Sequence, residues 1–318
     1  MADQSLKVRL RQIRLEAQGI VSLEFVAADG GALPGFTAGA HVDFLLPGEK
    51  VRSYSLLNDP RETHRYVIAV LREAEGRGGS VWLHDRPRVG DVLEVRPPVN
   101  DFALADTPSE SVLVAGGIGI TPLLSMARQL EREGRPWRLH YAARSPAHAA
   151  FLDELRALDA GRGRVTLHCG EAGQVRLDMA AAVAAAPADA HFYGCGPARM
   201  IEAFQAACAA RPSAQVHLER FAASSEAATA GGFELVLQRS GQRIAVAPGK
   251  TILDALLDHA VSVQYACSAG VCGTCMTGVI EGEPDHRDEY LTDEERRENR
   301  QIMICCSGSK SPTLVLDL

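Results

Sequence analysis

The sequence is poor in aromatic residues and lacks long apolar runs. Phe, Trp and Tyr make up 5% of the 318 residues. No stretch reaches the roughly 18 consecutive apolar residues of a membrane-spanning helix. The first residues also lack the apolar segment of a secretory signal, so a cytoplasmic location is expected. A formal net charge of −7 disfavours nucleic acid as a partner.

The chain does have enough apolar residues for several hydrophobic cores. Apolar residues account for 46% of the positions and charged residues for 23%, as in ordinary globular proteins. A length of 318 residues predicts two or three domains. Changes in residue pattern place the domains at residues 1–105, 106–222 and 233–318, with residues 223–232 as a linker.

Four of the eight cysteines have the spacing of plant-type 2Fe–2S ligands. Three of them lie in one loop that reads C-x4-C-x2-C, and the fourth follows after 29 further residues. Glycines in the loop allow its N–H groups to turn toward sulfur, and Ser268 and Thr274 can add hydroxyl donors. The four candidate ligands are Cys267, Cys272, Cys275 and Cys305.

Other interpretations of these cysteines are less favoured. Cys306 competes for the fourth position, but Cys305 keeps the expected interval. In a predicted strand over Ile302–Cys305, the next side chain would point to the opposite face. Structural zinc usually needs two cysteine or cysteine–histidine pairs, and only one C-x2-C pair is present. Disulfides need an oxidising compartment, which nothing in the sequence indicates.

Residues 1–105 are predicted to form an antiparallel β-barrel. Apolar and polar residues alternate over short stretches such as Tyr66–Val70, and turn-forming residues separate these stretches. Arg52-Ser-Tyr-Ser55 offers a guanidinium for a phosphate, an aromatic ring for a flat heterocycle and hydroxyl groups. Gly76–Ser80 precedes a short predicted helix, where free N–H groups favour an anion. Taken singly, an ordinary strand and a flexible loop explain these motifs as well.

Residues 106–222 alternate strands with helices, which predicts a doubly wound parallel sheet. The strand Ser111–Ala115 runs into Gly116-Gly-Ile-Gly119 and a helix from Thr121, which suits a pyrophosphate. A second turn, Tyr193-Gly-Cys-Gly-Pro197, follows another strand at the edge where such sheets bind ligands. The alternatives are a tight glycine-rich turn and a small buried cysteine.

The predicted linker and an acidic stretch complete the chain. The linker residues are small and polar without periodicity, which is typical of a flexible tether that keeps the last domain close. Glu281–Glu298 is strongly acidic. A solvated acidic face is the ordinary explanation, and a docking surface for a basic electron acceptor is the alternative.

Together these motifs resemble the phthalate dioxygenase reductase family over nearly the whole chain, with a pattern similar to vanillate O-demethylase reductases. The resemblance implies a multidomain α+β and α/β fold. It comprises an FMN-binding β-barrel (1–105), an NAD-binding domain (106–222) and a plant-type ferredoxin domain of β-grasp type (233–318). The motifs that carry it are Arg52–Ser55, Gly78–Ser80, Gly116–Pro122, Tyr193–Pro197 and the loop Cys267–Cys275.

The resemblance also implies roles for single residues. Catalytic roles are expected of Cys195 at the nicotinamide, Phe221 at the flavin face and Ser55 at the flavin ring. Phe221 has a core position as its alternative, and Arg144 could also pair with the 2′-phosphate of NADPH. The residues expected at FMN are Arg52, Ser53, Tyr54, Ser55, Ala69, Val70, Leu71, Gly78, Gly79, Ser80, Thr121 and Phe221. Those expected at NAD are Gly116, Gly117, Gly119, Thr121, Arg144, Ser145, Cys195 and Gly196.

The implied activity is electron transfer from NADH through FMN and a 2Fe–2S cluster to the oxygenase component of a two-component Rieske-type oxygenase or demethylase, in aromatic compound catabolism. A flavin suits the middle position because a nicotinamide gives two electrons at once and the cluster accepts one. FMN rather than FAD rests on the resemblance alone. The alternatives are a reductase for a haem-thiolate monooxygenase or another acceptor, and a redox-sensing module without turnover. We expect a monomer that binds neither nucleic acid nor membranes.

Overall fold

The computed structural model describes residues 5–48, 50–76, 78–170, 176–221 and 226–318. Three predictions fall partly outside these ranges. They concern the first residues of the chain, Arg77 in the predicted anion loop and residues 222–225 around the start of the predicted linker. The chain divides into two compact units, one ending at Arg220 and the other beginning at Phe221.

The first unit begins with a six-stranded antiparallel sheet in the order β4-β3-β6-β1-β2-β5. Apolar and polar side chains alternate along its strands. Val8 and Leu10 are buried, whereas the neighbouring Lys7 and Arg9 are exposed. The two end strands, β4 and β5, approach each other and give the barrel a seam. The elements are β1 (Leu6–Ala17), β2 (Ile20–Ala27), β3 (His41–Leu46), β4 (Lys50–Ser55), β5 (Tyr66–Leu71), α1 (Gly79–Asp85) and β6 (Val92–Val95).

The rest of the first unit is a parallel sheet in the order β11-β10-β7-β8-β9. All six residues of β7 are buried, because helices cover both faces of the sheet. The strands are β7 (Ser111–Gly116), β8 (Trp137–Ala143), β9 (Val165–Cys169), β10 (His191–Cys195) and β11 (Val216–Glu219). The helices are α2 (Ile120–Glu133), α3 (Leu152–Asp159), α4 (Met179–Ala184) and α5 (Ala198–Ala207).

The barrel and the parallel sheet share one hydrophobic core. Ile20, Leu57 and Ala69 of the barrel belong to the same buried cluster as the apolar face of α2. Polar contacts also join α2 to the barrel. Ser125 Oγ donates to the carbonyl oxygen of Asn58 at 3.0 Å. Arg132 of the same helix lies 2.7 Å from the Asp59 carboxylate. The two sheets therefore hold their ligand-binding edges in a fixed relation.

The second unit is a mixed sheet in the order β13-β12-β18-β14-β16, with a small sheet of β15 and β17. Its helix α6 starts with a capping box between Thr251 and Asp254. The predicted fold class, a barrel, a doubly wound sheet and a ferredoxin-type domain, is confirmed. The strands are β12 (Phe233–Leu237), β13 (Arg243–Val246), β14 (Met276–Glu281), β15 (Pro284–Asp285), β16 (Gln301–Met303), β17 (Gly308–Ser309) and β18 (Thr313–Leu316). The helices are α6 (Ile252–Asp258) and α7 (Asp293–Glu298).

Two features of the second unit differ from the predictions. The strand β16 ends at Met303, so Cys305 and Cys306 lie in a turn and not on a strand. The predicted tether is bonded to this unit over its last residues, because Ala228 N donates to Cys306 O at 2.7 Å. Gly232 N likewise donates to Val246 O at 2.9 Å. These backbone bonds need tertiary partners, which residue composition does not reveal.

Among the described residues, no helix combines the length and the apolar character needed to cross a membrane.

Substituting Gly231 tests whether residues 228–232 are packed against the second unit. Its φ is +64°, and a Cβ there would lie 2.5 Å from the carbonyl carbon of Ala247. We expect Gly231→Ala to lower the free energy of unfolding by about 2–3 kcal/mol in urea denaturation. Gly232→Ala is the matched control, since Gly232 has φ +80° but open space around it. Gly232→Ala should lower the free energy of unfolding by only about 1 kcal/mol. An equal decrease in the two variants would contradict the packing of Gly231.

Candidate functional site

The seam of the barrel presents two free strand edges. Leu57 N donates to Val67 O at 3.0 Å on the outer edge of β5, and Val67 N donates to Asn58 Oδ1 there at 3.0 Å. Because backbone groups alternate along an antiparallel strand, Ala69 and Leu71 direct theirs to the same outer edge. Among the described residues, no other backbone group bonds to them at that edge. They can therefore bind the polar rim of a flat ring.

Val70 lies between these two residues and points its backbone the other way. It pairs with Val21 across β2 and β5, and its side chain is buried in the barrel core. We therefore place the predicted flavin contacts on Ala69 and Leu71, and the alternation of the strand turns Val70 away from the seam.

Arg52 on β4 lies against the start of α1. A Cβ on Gly79 would lie 2.6 Å from Arg52 Cγ, so only a glycine admits this side chain. Gly78 precedes the helix with φ +80°, and Ser80 Oγ accepts a hydrogen bond from Glu73 N at 3.2 Å. The Ser80 hydroxyl hydrogen remains available for another acceptor. A guanidinium, the first-turn N–H groups and a hydroxyl thus gather where a phosphate would fit.

The other residues of the Arg52–Ser55 motif divide between the two faces of β4. The Tyr54 ring packs edge-on to Phe44 with centroids 5.9 Å apart, and burial raises the pKa of Tyr54 to about 12. The Ser53 hydroxyl instead donates to Asp43 at 2.6 Å, away from Arg52 and Tyr54. Ser55 is buried. The Ser53 hydroxyl is thus engaged within the barrel, its backbone lies on the free edge of β4, and its predicted contact with FMN stays a prediction.

The glycine turn after β7 packs directly on the turn after β10. A Cβ on Gly119 would lie 2.3 Å from the carbonyl oxygen of Cys195, and one on Gly196 would lie 3.0 Å from Gly116 Cα. Side chains at these positions would push the two turns apart. Gly117 has φ +54° with open space beside it, so its backbone faces outward. The arrangement leaves a groove at the sheet edge that admits an extended phosphate chain.

Cys195 is buried beside a carboxyl group that the sequence motifs did not single out. Its Sγ lies 3.7 Å from Glu219 Oε2, and the two residues end the neighbouring strands β10 and β11. Burial raises the pKa of the Cys195 thiol well above its ordinary value, and Glu219 adds to this shift. Burial, with a smaller contribution from Asp101, raises the pKa of Glu219 to about 8. Near neutral pH both groups thus favour their protonated forms.

The remaining predicted nucleotide contacts are more scattered. Thr121 is buried, and its hydroxyl donates to the carbonyl oxygen of Ile118 at 3.0 Å. Arg144 is exposed just beyond β8, whereas Ser145 is buried with its Oγ 2.8 Å from His148 Nδ1. Phe221 is 40% exposed and belongs to the second unit. Its predicted place over the flavin stays a prediction.

The cysteine loop of the second unit turns its amides toward sulfur. Ala269 N donates to Cys267 Sγ at 3.3 Å, and Thr274 Oγ1 lies 3.3 Å from Cys272 Sγ. Positive φ values at Ser268 and at both loop glycines produce this curvature. The loop therefore brings a backbone donor to the Cys267 thiol, as the sequence predicted, whereas the Cys272 thiol donates to the Thr274 hydroxyl.

The thiols themselves crowd together. Cys267 is hydrogen-bonded to both Cys272 and Cys305, which lie far apart in sequence. The Cys267 thiol and burial raise the pKa of Cys272. A cationic group is what would stabilise these sulfurs as thiolates.

This arrangement suits a two-iron cluster better than a single zinc ion. In the part of the chain that the structure describes, no three His, Cys, Asp or Glu side chains are placed to hold one metal ion. A 2Fe–2S cluster does not need three protein ligands around one metal ion. Each iron takes only two cysteines, and the bridging sulfides complete its coordination. The residues present therefore fit the cluster.

The acidic stretch Glu281–Glu298 is only partly a surface feature. Asp288 is buried and accepts hydrogen bonds from Leu291 N at 2.9 Å and Tyr290 N at 3.2 Å. Glu295 caps α7 through Thr292. Folding therefore buries one carboxylate of this stretch, that of Asp288, whereas Glu295 stays exposed while it caps its helix.

Glu219 and Asp288 are the residues that sequence reasoning missed. Glu219 could have been noticed in Leu218-Glu-Arg-Phe221, because a carboxyl at the end of a parallel strand lies at the ligand-binding edge. Asp288 had no such signal, since its neighbours are equally acidic and only burial distinguishes it.

Two domain models match the chain. The 2Fe–2S iron-sulfur cluster binding domain matches residues 235–309, and the oxidoreductase NAD-binding domain matches residues 113–206. The first range contains all four candidate cluster cysteines, and the second contains both glycine turns of the parallel sheet.

Known proteins resemble the chain along its entire length. Phenoxybenzoate dioxygenase subunit beta of Ectopseudomonas oleovorans is 53% identical, over 98% of this chain and 97% of the relative. Vanillate O-demethylase oxidoreductase of a Pseudomonas species is 42% identical, over 98% of this chain and 100% of the relative. The structure of phthalate dioxygenase reductase, described as modular for electron transfer from pyridine nucleotides to 2Fe–2S, is 40% identical with a TM-score of 0.86. The match covers 99% of this chain and 98% of the chain in that structure.

Gly79→Ala tests the phosphate group of the barrel. The new Cβ would strike Arg52, and we expect the displaced guanidinium to weaken FMN binding about tenfold, or about 1.4 kcal/mol. The measurement is the flavin retained per chain after dialysis. Gly35→Ala is the control, because nothing lies within 4 Å of its added Cβ. Equal flavin content in the two variants would contradict this assignment.

Glu219 should make stability depend on pH. Its folded pKa of about 8 lies above its ordinary value, so the unfolded chain loses this proton at lower pH than the folded one. Stability should therefore fall as pH rises from about 4.5 to about 8, by at most about 1.4 kcal/mol for each pH unit. Glu219→Gln should remove this fall in denaturant titrations at several pH values. A parallel decline in both proteins would argue against the shift.

Proposed function

Because the chain belongs to the phthalate dioxygenase reductase family, we propose that it passes electrons from NADH through FMN and a 2Fe–2S cluster to the oxygenase component of a Rieske-type oxygenase or demethylase. The chain is an oxidoreductase with an NAD-binding domain and a 2Fe–2S domain. One observation carries the proposal: the seam of the barrel and the glycine turns share one compact unit, and all four candidate cysteines belong to the other.

The barrel residues hold and orient the flavin. Arg52 and Ser80 bind its phosphate, and the backbone of Ala69 and Leu71 receives the ring at the free edge of β5. When bound, FMN supplies the ability to take electrons in pairs and release them singly. The 3₁₀ turn of Gly117–Gly119 contacts β5, so the nucleotide groove opens beside that edge. This closeness supports direct electron transfer from nicotinamide to flavin.

Cys195 and Glu219 provide the wall of the nicotinamide end. Both sit at the carboxyl edge of the sheet, next to the glycine turns, and both favour the neutral state near neutral pH. A neutral wall matters because a nicotinamide ring carries a positive charge only when oxidised. The pair therefore adds no fixed anion that would hold the oxidised product.

The oxygenase partner, the location and the monomeric state belong to the same proposal. Each predicted cofactor has its residues within one chain, so a second copy is not needed to complete a site. The domain limits 1–105, 106–222 and 233–318 are proposed with it, and the matched ranges 113–206 and 235–309 fall inside the last two. We propose a cytoplasmic enzyme, where NADH is available.

Cys305→Ser separates the flavin step from the cluster step. Serine is a poor ligand for this cluster, so NADH-dependent reduction of cytochrome c should fall by at least about tenfold. Reduction of ferricyanide, which accepts electrons from flavin, should persist at a similar rate. Loss of both activities would contradict the modular route.

Reconstitution tests the partner. The reduced protein is mixed with a purified Rieske-type oxygenase that demethylates or hydroxylates aromatic acids, and product is measured with NADH and oxygen. Product formation that requires both proteins supports the proposal. A protein that reduces cytochrome c but delivers no electrons to such oxygenases would direct the search to an acceptor of another kind.

A further inference from the structure

Cys305 and Cys306 are adjacent buried thiols in the turn after β16, and their surroundings differ. The Cys305 thiol is hydrogen-bonded to Cys267 in the ligand loop. The Cys306 thiol contacts Cys305 on one side and Gly270 on the other. The two cysteines therefore cannot serve the cluster in the same way.

We propose that Cys306 is a positioning residue for the 2Fe–2S cluster. It is a non-ligating thiol that spaces the ligand loop from the turn and donates its hydrogen to the sulfur of Cys305. The inference rests on the proposed function, because it takes Cys305 as the fourth cluster ligand.

The spacing role follows from the contact with Gly270. A Cβ on Gly270 would lie only 2.6 Å from Cys306 Sγ and 3.2 Å from Asp288 Cα. The loop backbone is thus held between a sulfur atom and a second chain segment. Glu289 N fixes the position from the same side by donating to Gly270 O at 2.9 Å. Moving or removing the sulfur changes where this part of the loop can rest.

The hydrogen-bonding role follows from the acceptors around the thiol. Cys306 Sγ lies 3.8 Å from both the carbonyl oxygen of Met303 and Ser307 Oγ, two long contacts, and it also contacts the sulfur of Cys305. A ligand thiolate carries negative charge and is a stronger acceptor than a neutral carbonyl. With the cluster in place, the S–H group therefore turns to Cys305. Hydrogen bonds to ligand sulfurs raise the reduction potential of such clusters.

The backbone of the same residue ties down a third segment. The carbonyl oxygen of Cys306 accepts the hydrogen bond from Ala228 N at 2.7 Å. One residue thus joins the ligand loop, the turn and the segment that enters the unit. This position explains why Cys306 is buried although it is not needed as a ligand.

The first experiment compares Cys306→Ala, Cys306→Ser and Cys305→Ser in the full chain. Iron and sulfide content, EPR g values, midpoint potential and the rate of iron loss to a chelator are measured for each. Cys306→Ala should keep both irons, lose iron about tenfold faster and shift the potential to a lower value. Cys306→Ser keeps a donor and should retain a potential at or above that of the parent. Cys208→Ala, a buried thiol of the first unit, is the control for thiol loss.

Opposite results would overturn the inference in distinct ways. A Cys306→Ala protein with the potential, g values and iron loss of the parent would show that the thiol has no role. Loss of the cluster in Cys306→Ser with retention in Cys305→Ser would make Cys306 the ligand. A parent protein that binds no 2Fe–2S cluster at all would instead refute the proposed function.

A double substitution tests the spacing separately. Gly270→Ala should disturb the cluster spectrum because its Cβ meets the Cys306 sulfur, and adding Cys306→Ala should restore part of the iron content. Gly273→Ala is the matched control: it has a similar φ of +74°, but its Cβ would meet the Tyr290 ring. Cys306→Ala should not rescue it. Equal rescue of both glycine variants, or of neither, would contradict the contact.

Discussion

Sulfur atoms that carry negative charge repel one another, yet the second unit brings the thiols of Cys267, Cys272 and Cys305 into contact. The loop turns backbone N–H groups toward Cys267, and the turn after β16 brings Cys305 to the same place. The buried Asp288 segment holds the loop from behind through the bond of Glu289 N to Gly270 O. The mixed sheet fixes these pieces, because β14 and β16 pair on either side of the acidic stretch.

The first unit meets a different constraint, which is the distance between two cofactors that must exchange electrons. The shared core of the barrel and the parallel sheet makes this distance a property of packing. Glycines then allow the final close approach, since any side chain on Gly119 would strike the carbonyl of Cys195. The same edge of the sheet places Cys195 beside Glu219, and burial favours the neutral form of both groups.

Most of the architecture was predictable because it depends on local patterns. Alternation in residues such as Val8 and Leu10 predicts strands, and glycine after an apolar strand predicts a nucleotide turn. The spacing of the cysteines by itself indicates a plant-type 2Fe–2S cluster. Local patterns say less where a residue has two roles available. Ser53 could serve a cofactor or Asp43, and residues 228–232 could swing freely or bond to a sheet, and local composition is the same in both cases.

The sequence alone determined the number and kind of cofactor sites, because motif spacing reflects the covalent geometry of loops around phosphates and metal clusters. Only the tertiary structure decided which neighbours complete those sites. It paired Glu219 with Cys195, placed Arg52 over Gly79 and put the Cys306 sulfur against Gly270. These pairs are separated by between 24 and 36 positions in the chain, and no local rule relates residues that far apart. Contacts of this kind arise from packing, which is a property of the folded chain.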